Sequence, residues 1–286
     1  MRKSKKSLVL GLAVSALFSL NTFAQQLKSP APSPTQTLKQ NFALGDITLE
    51  YSRPSLKGRV AFGEVVPFDK VWRTGANAST KVTFSDKVKV EGNDVPAGTY
   101  SLYTIPGKTE WTIILNKNVT NWGTDGYKQE EDLVRFKVKP MMISEKVETF
   151  TMNVGEMTST SANVDLMWEK THVGFSVTAN IDSVMMKNID MALAPADKRP
   201  YFQAANYYYE NNKDLNKALE WVNKAVDQNP KAFYVLHLKA KIQVKLKDNK
   251  GAIATAEQSI AMAKEAKNDD YVKLNEKLIE EAKKGK

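Results

Sequence analysis

The chain of 286 residues contains no cysteine. It therefore forms no disulfide, offers no thiol nucleophile and builds no thiolate metal site. Histidine is almost as scarce, with two in the whole sequence, His172 and His237. Neither has a partner by motif or spacing. No Gly-x-Ser-x-Gly elbow and no His-Glu-x-x-His run occurs, so two common hydrolase signatures are missing. A Ser–His–Asp arrangement needs a positioned base, and only His172 stands where the strand-rich part of the chain could use it. Apolar stretches are short. Leu8 to Leu20 is a run of 13 residues broken only by glycine and serine, against roughly 20 needed to span a bilayer. No cofactor and no metal is implied.

What the N-terminus does have is a layout for export. Arg2, Lys3, Lys5 and Lys6 form a basic head, the apolar run follows, and Thr22 and Ala24 put small residues before a cleavage point after Ala24. That order is the signal-peptide pattern, and it predicts a periplasmic or secreted protein with no transmembrane segment once the signal is cut. Residues 1–24 carry four basic and no acidic residues, so the formal charge falls from +9 to +5 on processing. Residues 25–195 balance at 19 basic and 19 acidic; residues 196–286 hold 18 and 13. The surplus is lysine dispersed along helices rather than a concentrated basic face, which argues against nucleic acid as a partner.

Residues 25–44, with Pro30, Pro32 and Pro34 among Ser, Thr and Gln, read as a polar tether. From residue 45 to 181 the apolar pattern has period two. Val82 and Phe84, Val88 and Val90, Trp111, Ile113 and Leu115, Val134, Phe136 and Val138, Phe150, Met152 and Val154, Val164, Leu166 and Trp168, and Val173, Phe175 and Val177 each alternate with polar residues. Turn-forming stretches at 91–94, 106–108 and 123–126 separate them. Many short half-buried strands without intervening helices predict an antiparallel β-sandwich or barrel.

After Asp182 the period becomes helical. A linking helix is expected over 182–196, then repeats over 197–286. Phe202, Ala205, Tyr209, Ala218, Val222, Ala225 and Pro230 fall at the spacing of a tetratricopeptide unit. Leu236, Lys239, Ala240, Ala252, Ala256 and Ser259 populate a second, 34 residues on. Leu274 and Leu278 suggest a capping helix. Such repeats present a concave surface to protein partners, and Tyr207 and Tyr208 are the candidate partner-binding residues. The expected class is thus α+β in separate domains.

Residues 51–77 differ from the rest. Beyond residue 24 there are five arginines against 32 lysines, and three of the five, Arg53, Arg59 and Arg73, lie within 21 residues here. Arginine supplies a planar fork suited to carboxylate or phosphate. Two readings stand: these arginines pair with Glu50, Glu64 or Asp69 to hold a long connection, or they contact a ligand. The candidate ligand-binding set is Arg53, Lys57, Arg59, Trp72, Arg73 and Asn77, with Trp122 added from a polar loop that also holds Asn121 and Tyr127. By period, Trp111 and Trp168 belong to the core.

The run from Tyr51-Ser-Arg-Pro-Ser-Leu-Lys-Gly-Arg through Val71-Trp-Arg-Thr-Gly-Ala-Asn to Pro96-Ala-Gly-Thr-Tyr-Ser-Leu-Tyr-Thr-Ile-Pro and Glu110-Trp-Thr-Ile-Ile resembles domain-of-unknown-function family 2911, over roughly residues 45–180. The resemblance implies a secreted bacterial protein, often followed by helical repeats, and no assigned activity. The expectation is an exported, non-catalytic envelope protein. Its β domain would bind a carbohydrate or peptide ligand, and its repeats a protein partner. The competing expectation is a secreted hydrolase of polysaccharide or peptide. It would use Arg53, Arg73 and Asn77 to orient substrate beside an acid drawn from Glu64, Asp69, Asp125, Glu130, Glu131 or Asp132.

Overall fold

The computed structural model describes residues 29–194 and 199–284. The export segment 1–24 lies outside the described residues. The chain divides into two compact units at Val177/Thr178.

The described residues of the first unit form ten strands: β1 (Thr35–Phe42), β2 (Gly45–Ser52), β3 (Ala76–Phe84), β4 (Val88–Val90), β5 (Asn93–Val95), β6 (Gly98–Ile105), β7 (Trp111–Asn116), β8 (Asp132–Val138), β9 (Met141–Gly155) and β10 (Ser161–Thr178). They form a six-stranded sheet in the order β1-β2-β3-β6-β7-β8 and a four-stranded sheet in the order β5-β4-β10-β9. The strand pairs β1–β2, β2–β3, β3–β6, β6–β7, β7–β8, β4–β5 and β9–β10 are antiparallel. The alternation seen in the sequence is the alternation of burial: in β10, Ala162, Val164, Leu166, Trp168, Val173, Phe175 and Val177 are buried while their neighbours are not. The inner faces meet through Tyr51 edge-on to Phe150 at 5.7 Å and Phe136 edge-on to Phe175 at 5.7 Å. Tyr51 also ties the sheets by hydrogen bonds: its hydroxyl donates to Met152 O and accepts from Met152 N.

One expectation is corrected. The stretch read as a tether, residues 25–44, contains strand β1, which pairs with β2 along its whole length from Thr35↔Ser52 to Phe42↔Gly45. Only Leu38 and Phe42 in it are apolar. An edge strand needs little apolar surface and is protected from stray pairing by polar and charged side chains, so its period-two signal is nearly silent in the sequence.

The described residues of the second unit form six helices: α1 (Asp182–Ala192), α2 (Tyr201–Glu210), α3 (Leu215–Gln228), α4 (Phe233–Lys245), α5 (Asn249–Glu265) and α6 (Asp269–Lys284). Helix α1 covers most of the expected linking helix. Asp214 caps α3 by accepting from Asn216 N and Lys217 N, and Asp248 caps α5 through Gly251 N. These acceptors satisfy amides that the first helical turn leaves unpaired. From α2 onward successive helices pack as neighbours, and α4 also meets α2 and α6.

Candidate functional site

The long connection 53–75 between β2 and β3 is where the sequence concentrates arginine, and the structure shows what that arginine does. Arg53 donates from Nε to Phe150 O at 3.0 Å and from Nη2 to Thr151 Oγ1 at 2.8 Å, fastening the connection to β9. Arg59 donates to Leu56 O and Ser55 O, closing its own turn. Arg73 donates from Nη1 to Asn77 O at 2.8 Å. None of the three forms an ion pair with Glu50, Glu64 or Asp69 among the described residues. Their targets are main-chain carbonyls and one hydroxyl. A fixed guanidinium fork can satisfy such acceptors two at a time, which explains arginine over lysine without a ligand.

The other members of the expected set have partners of their own. Lys57 is exposed at φ +51°, and its amide donates to Glu148. Asn77 holds Ser33 O and Ser52 Oγ through Nδ2. Trp72 is corrected from ligand surface to core. It is 8% exposed, donates its indole N–H to Gly75 O, and stacks on Trp168 at 5.8 Å. Trp111 and Trp168 are buried as their period predicts. Among the described residues neither Arg53 nor Arg73 forms an ion pair with an acid.

Trp122 is the aromatic member that stays outside, 67% exposed. Its loop, residues 117–128, is held from beneath. Asn121 Nδ2 donates to the Tyr103 hydroxyl, and that hydroxyl donates to Gly123 O. Tyr127 donates to Asp132, which also accepts from Arg135 and Asn116. Burial first, and then the Asp132 carboxylate, push the Tyr127 hydroxyl up to about 12, so it remains a donor at any physiological pH. At φ +74°, Gly123 packs on Arg73, where an added Cβ would lie 2.9 Å from Nη1. The loop presents one indole on a fixed base.

A concave feature of the first unit lies elsewhere. A cleft of about 310 Å³ opens where several connections meet. Phe62 and Phe68 come from the 53–75 connection, Gly107 and Lys108 from the β6–β7 turn, Pro140 from the β8–β9 turn, Met141 and Met142 from the start of β9, and Glu169 and Thr171 from β10; Trp111 completes the wall. Phe62 lies edge-on to Trp111 at 4.8 Å, to Trp72 at 5.9 Å and to Trp168 at 5.9 Å. The cleft therefore rests on the aromatic core itself. Met141 and Met142 stand exposed, and unbranched thioethers adapt to irregular apolar partners. Gly107 is required by the turn, because a Cβ there would sit 2.3 Å from Glu110 O.

Glu169 reaches this cleft by a distortion. The β9–β10 register slips on both sides of it, and its φ is +55°, a left-handed conformation that costs a non-glycine residue on the order of 1 kcal/mol. Its Oε2 accepts from Ala61 N at 3.0 Å. Sequence reasoning missed Glu169 because an alternating strand gives no sign of its own bulge. It did select the right connection, but through the arginines rather than through Phe62 and Phe68.

In the second unit the two tyrosines expected to meet a partner are engaged internally. Tyr208 is buried and packs edge-on to Trp221 at 4.7 Å, which corrects it to core. Tyr207 donates to Asp182 Oδ1 at 3.0 Å, and burial followed by that carboxylate push its hydroxyl up to about 12. A different aromatic series crosses α2, α4 and α6. Phe202 meets Tyr234 at 5.3 Å, Phe233 meets Tyr271 at 5.0 Å, and His237 meets Tyr271 at 5.5 Å. Tyr234 and Leu274 are exposed on these helices.

The described residues contain no cluster of three or more metal-ligating side chains, and no described helix is long and apolar enough to cross a membrane. Compared with known proteins, residues 33–177 match the model of a family described as Protein of unknown function (DUF2911). No curated protein and no solved structure matches the chain.

Proposed function

The chain belongs to the DUF2911 family, and from that premise and the geometry above we propose that it is an exported, non-catalytic binding protein of the bacterial envelope. Its β unit takes a small ligand in the Trp111 cleft, and its helices engage a protein partner. The observation that carries this reading is the cleft. It is concave, aromatic-based and methionine-rimmed, with a carboxylate and an ammonium among its lining residues, the combination typical of small-ligand sites. The export layout of residues 1–24 supports the location.

For the helices, the reading is a pair of tetratricopeptide-like units. Ala218 and Ala252, Trp221 and Thr255, Val222 and Ala256, and Ala225 and Ser259 are buried pairs 34 residues apart. The aromatic series on α2, α4 and α6 is the partner surface this reading favours, in place of Tyr207 and Tyr208.

Native mass spectrometry of the protein recovered from its own envelope tests the β-unit reading. A retained small molecule is expected on the wild type and not on a Thr171→Trp variant that fills the cleft; equal retention by both places the ligand elsewhere. A mature N-terminus other than Gln25 would count against cleavage after Ala24. Cross-linking from position 234 should capture a protein partner, and its failure there together with capture from α3 or α5 would reject the partner surface.

A further inference from the structure

Two opposite charges line the cleft, and neither has an ionic partner. Glu169 spends one oxygen on Ala61 N–H. Holding an amide requires an acceptor, which a neutral glutamine carbonyl would supply equally, so the negative charge has no structural use. Lys108 places Nζ 5.9 Å from the centroid of the Phe68 ring and otherwise stands alone. Among the described residues neither Glu169 nor Lys108 forms an ion pair. The acids nearest Lys108 in sequence do not serve it: Glu110 is taken by Lys137, and Asp69, beside Gly107, makes no ion pair. Glu169 is half-buried, and a charge with restricted access to water ordinarily finds a partner, whereas Lys108 is exposed at the rim. Phe62 and Trp111 line the same cleft. The left-handed backbone at Glu169 shows that the fold accepts strain to deliver this carboxylate, and such strain gathers at ligand sites.

Resting on the ligand-binding reading above, we propose that the cleft binds a zwitterion with an apolar body, a hydrophobic dipeptide with both termini free. Its ammonium would meet Glu169, its carboxylate Lys108, and its side chains Phe62, Trp111 and the methionine rim. The cleft volume, about 310 Å³, stands at the small end of the range for small-molecule sites, roughly 300–1,000 Å³, which suits one or two residues and not a longer peptide.

The test is titration of the full mature chain with leucyl-leucine, following the Trp111 indole N–H by NMR, beside its N-acetylated and its C-amidated forms. The free dipeptide is expected to bind at least 10-fold more tightly than either blocked form. Glu169→Gln, which keeps the Ala61 acceptor, should weaken the free dipeptide at least 10-fold and leave the N-acetylated form unchanged. Lys108→Met should weaken the free dipeptide and leave the amidated form unchanged. Thermal unfolding of both variants within a few degrees of the wild type shows that the losses are not losses of fold. Equal binding of all three forms overturns the zwitterion. If none of them shifts Trp111 while the neutral probe N-phenyl-1-naphthylamine does, the ligand class is wrong and the cleft reading stands. If the neutral probe also leaves Trp111 unmoved, both fall.

Discussion

Asp165 Oδ1 and His172 Nε2 lie 2.8 Å apart although seven residues separate them on the single strand β10. A straight strand advances about 3.3 Å per residue, so their spacing along it would be roughly 23 Å. The contact therefore requires β10 to double back, and it does so at Glu169, where the register slips and φ turns positive. The same bend brings Glu169 and Thr171 to the cleft. The pair belongs to the architecture of the site.

Gly174 stands against this pair, and a Cβ there would lie 2.9 Å from Asp165 Oδ1. Asp165→Ala is expected to cost about 1 kcal/mol, the usual net worth of a part-buried hydrogen bond, or about 2–4 °C in Tm for a unit of this size. Gly174→Ala is expected to cost a similar amount alone and clearly less in the Asp165→Ala background, because the group it displaces is gone. Thermal unfolding of the four chains checks this. Strict additivity would mean that Gly174 is needed for another reason.

Glu169→Gly separates strain from function. Glycine relieves the left-handed backbone by about 1 kcal/mol and removes the Ala61 acceptor at a cost of about 1 kcal/mol. The expected net change in stability, read by denaturant unfolding, is within about 1 kcal/mol of zero, while ligand retention is lost. A variant that unfolds several kcal/mol more readily would show the carboxylate to be chiefly structural.

Trp72 and Trp122 were read together as ligand residues and part company in the structure. Trp72→Ala should cost about 3–5 kcal/mol, as for any large buried aromatic. Trp122→Ala should change stability by less than about 0.5 kcal/mol, its indole being two-thirds in solvent. Guanidinium melts of the two variants, followed by circular dichroism at a β-sheet wavelength, distinguish them.

His237 predicts a pH dependence in the helices. Burial lowers its pKa from 6.5, outweighing the Asn275 hydrogen bond that raises it. In the unfolded chain the ring takes a proton near the ordinary value, before the folded protein does. Stability is therefore full above about pH 6.5 and declines as pH falls from there to the lowered folded value, below which it levels off. His237→Gln should flatten this part of the profile. Hydrogen exchange of the α4 and α6 amides across that range is the readout. Asn275 matters for the same reason: fully buried, it joins His237 Nδ1 to Ser259 Oγ and Tyr271 O.

Much of this molecule was legible from residue order. Period-two apolar runs such as Val164, Leu166 and Trp168 determine a half-buried strand, because side chains alternate across a pleated sheet. The apolar residues Ala218, Trp221, Val222 and Ala225, at helical spacing, determine a helix with one buried face. The absence of cysteine and the scarcity of histidine determined which chemistries were closed to the chain. Tertiary structure alone decided the rest. It made β1 a strand, since an edge strand draws its order from its neighbour's hydrogen bonds and needs little apolar pattern of its own. It turned Arg53, Arg59 and Arg73 toward backbone carbonyls, since what an arginine binds depends on which acceptors the fold leaves unpaired near it. And it assembled the cleft from Phe62, Lys108, Met142 and Glu169, which are scattered over more than a hundred residues and meet only because β10 bends where no local pattern announces it.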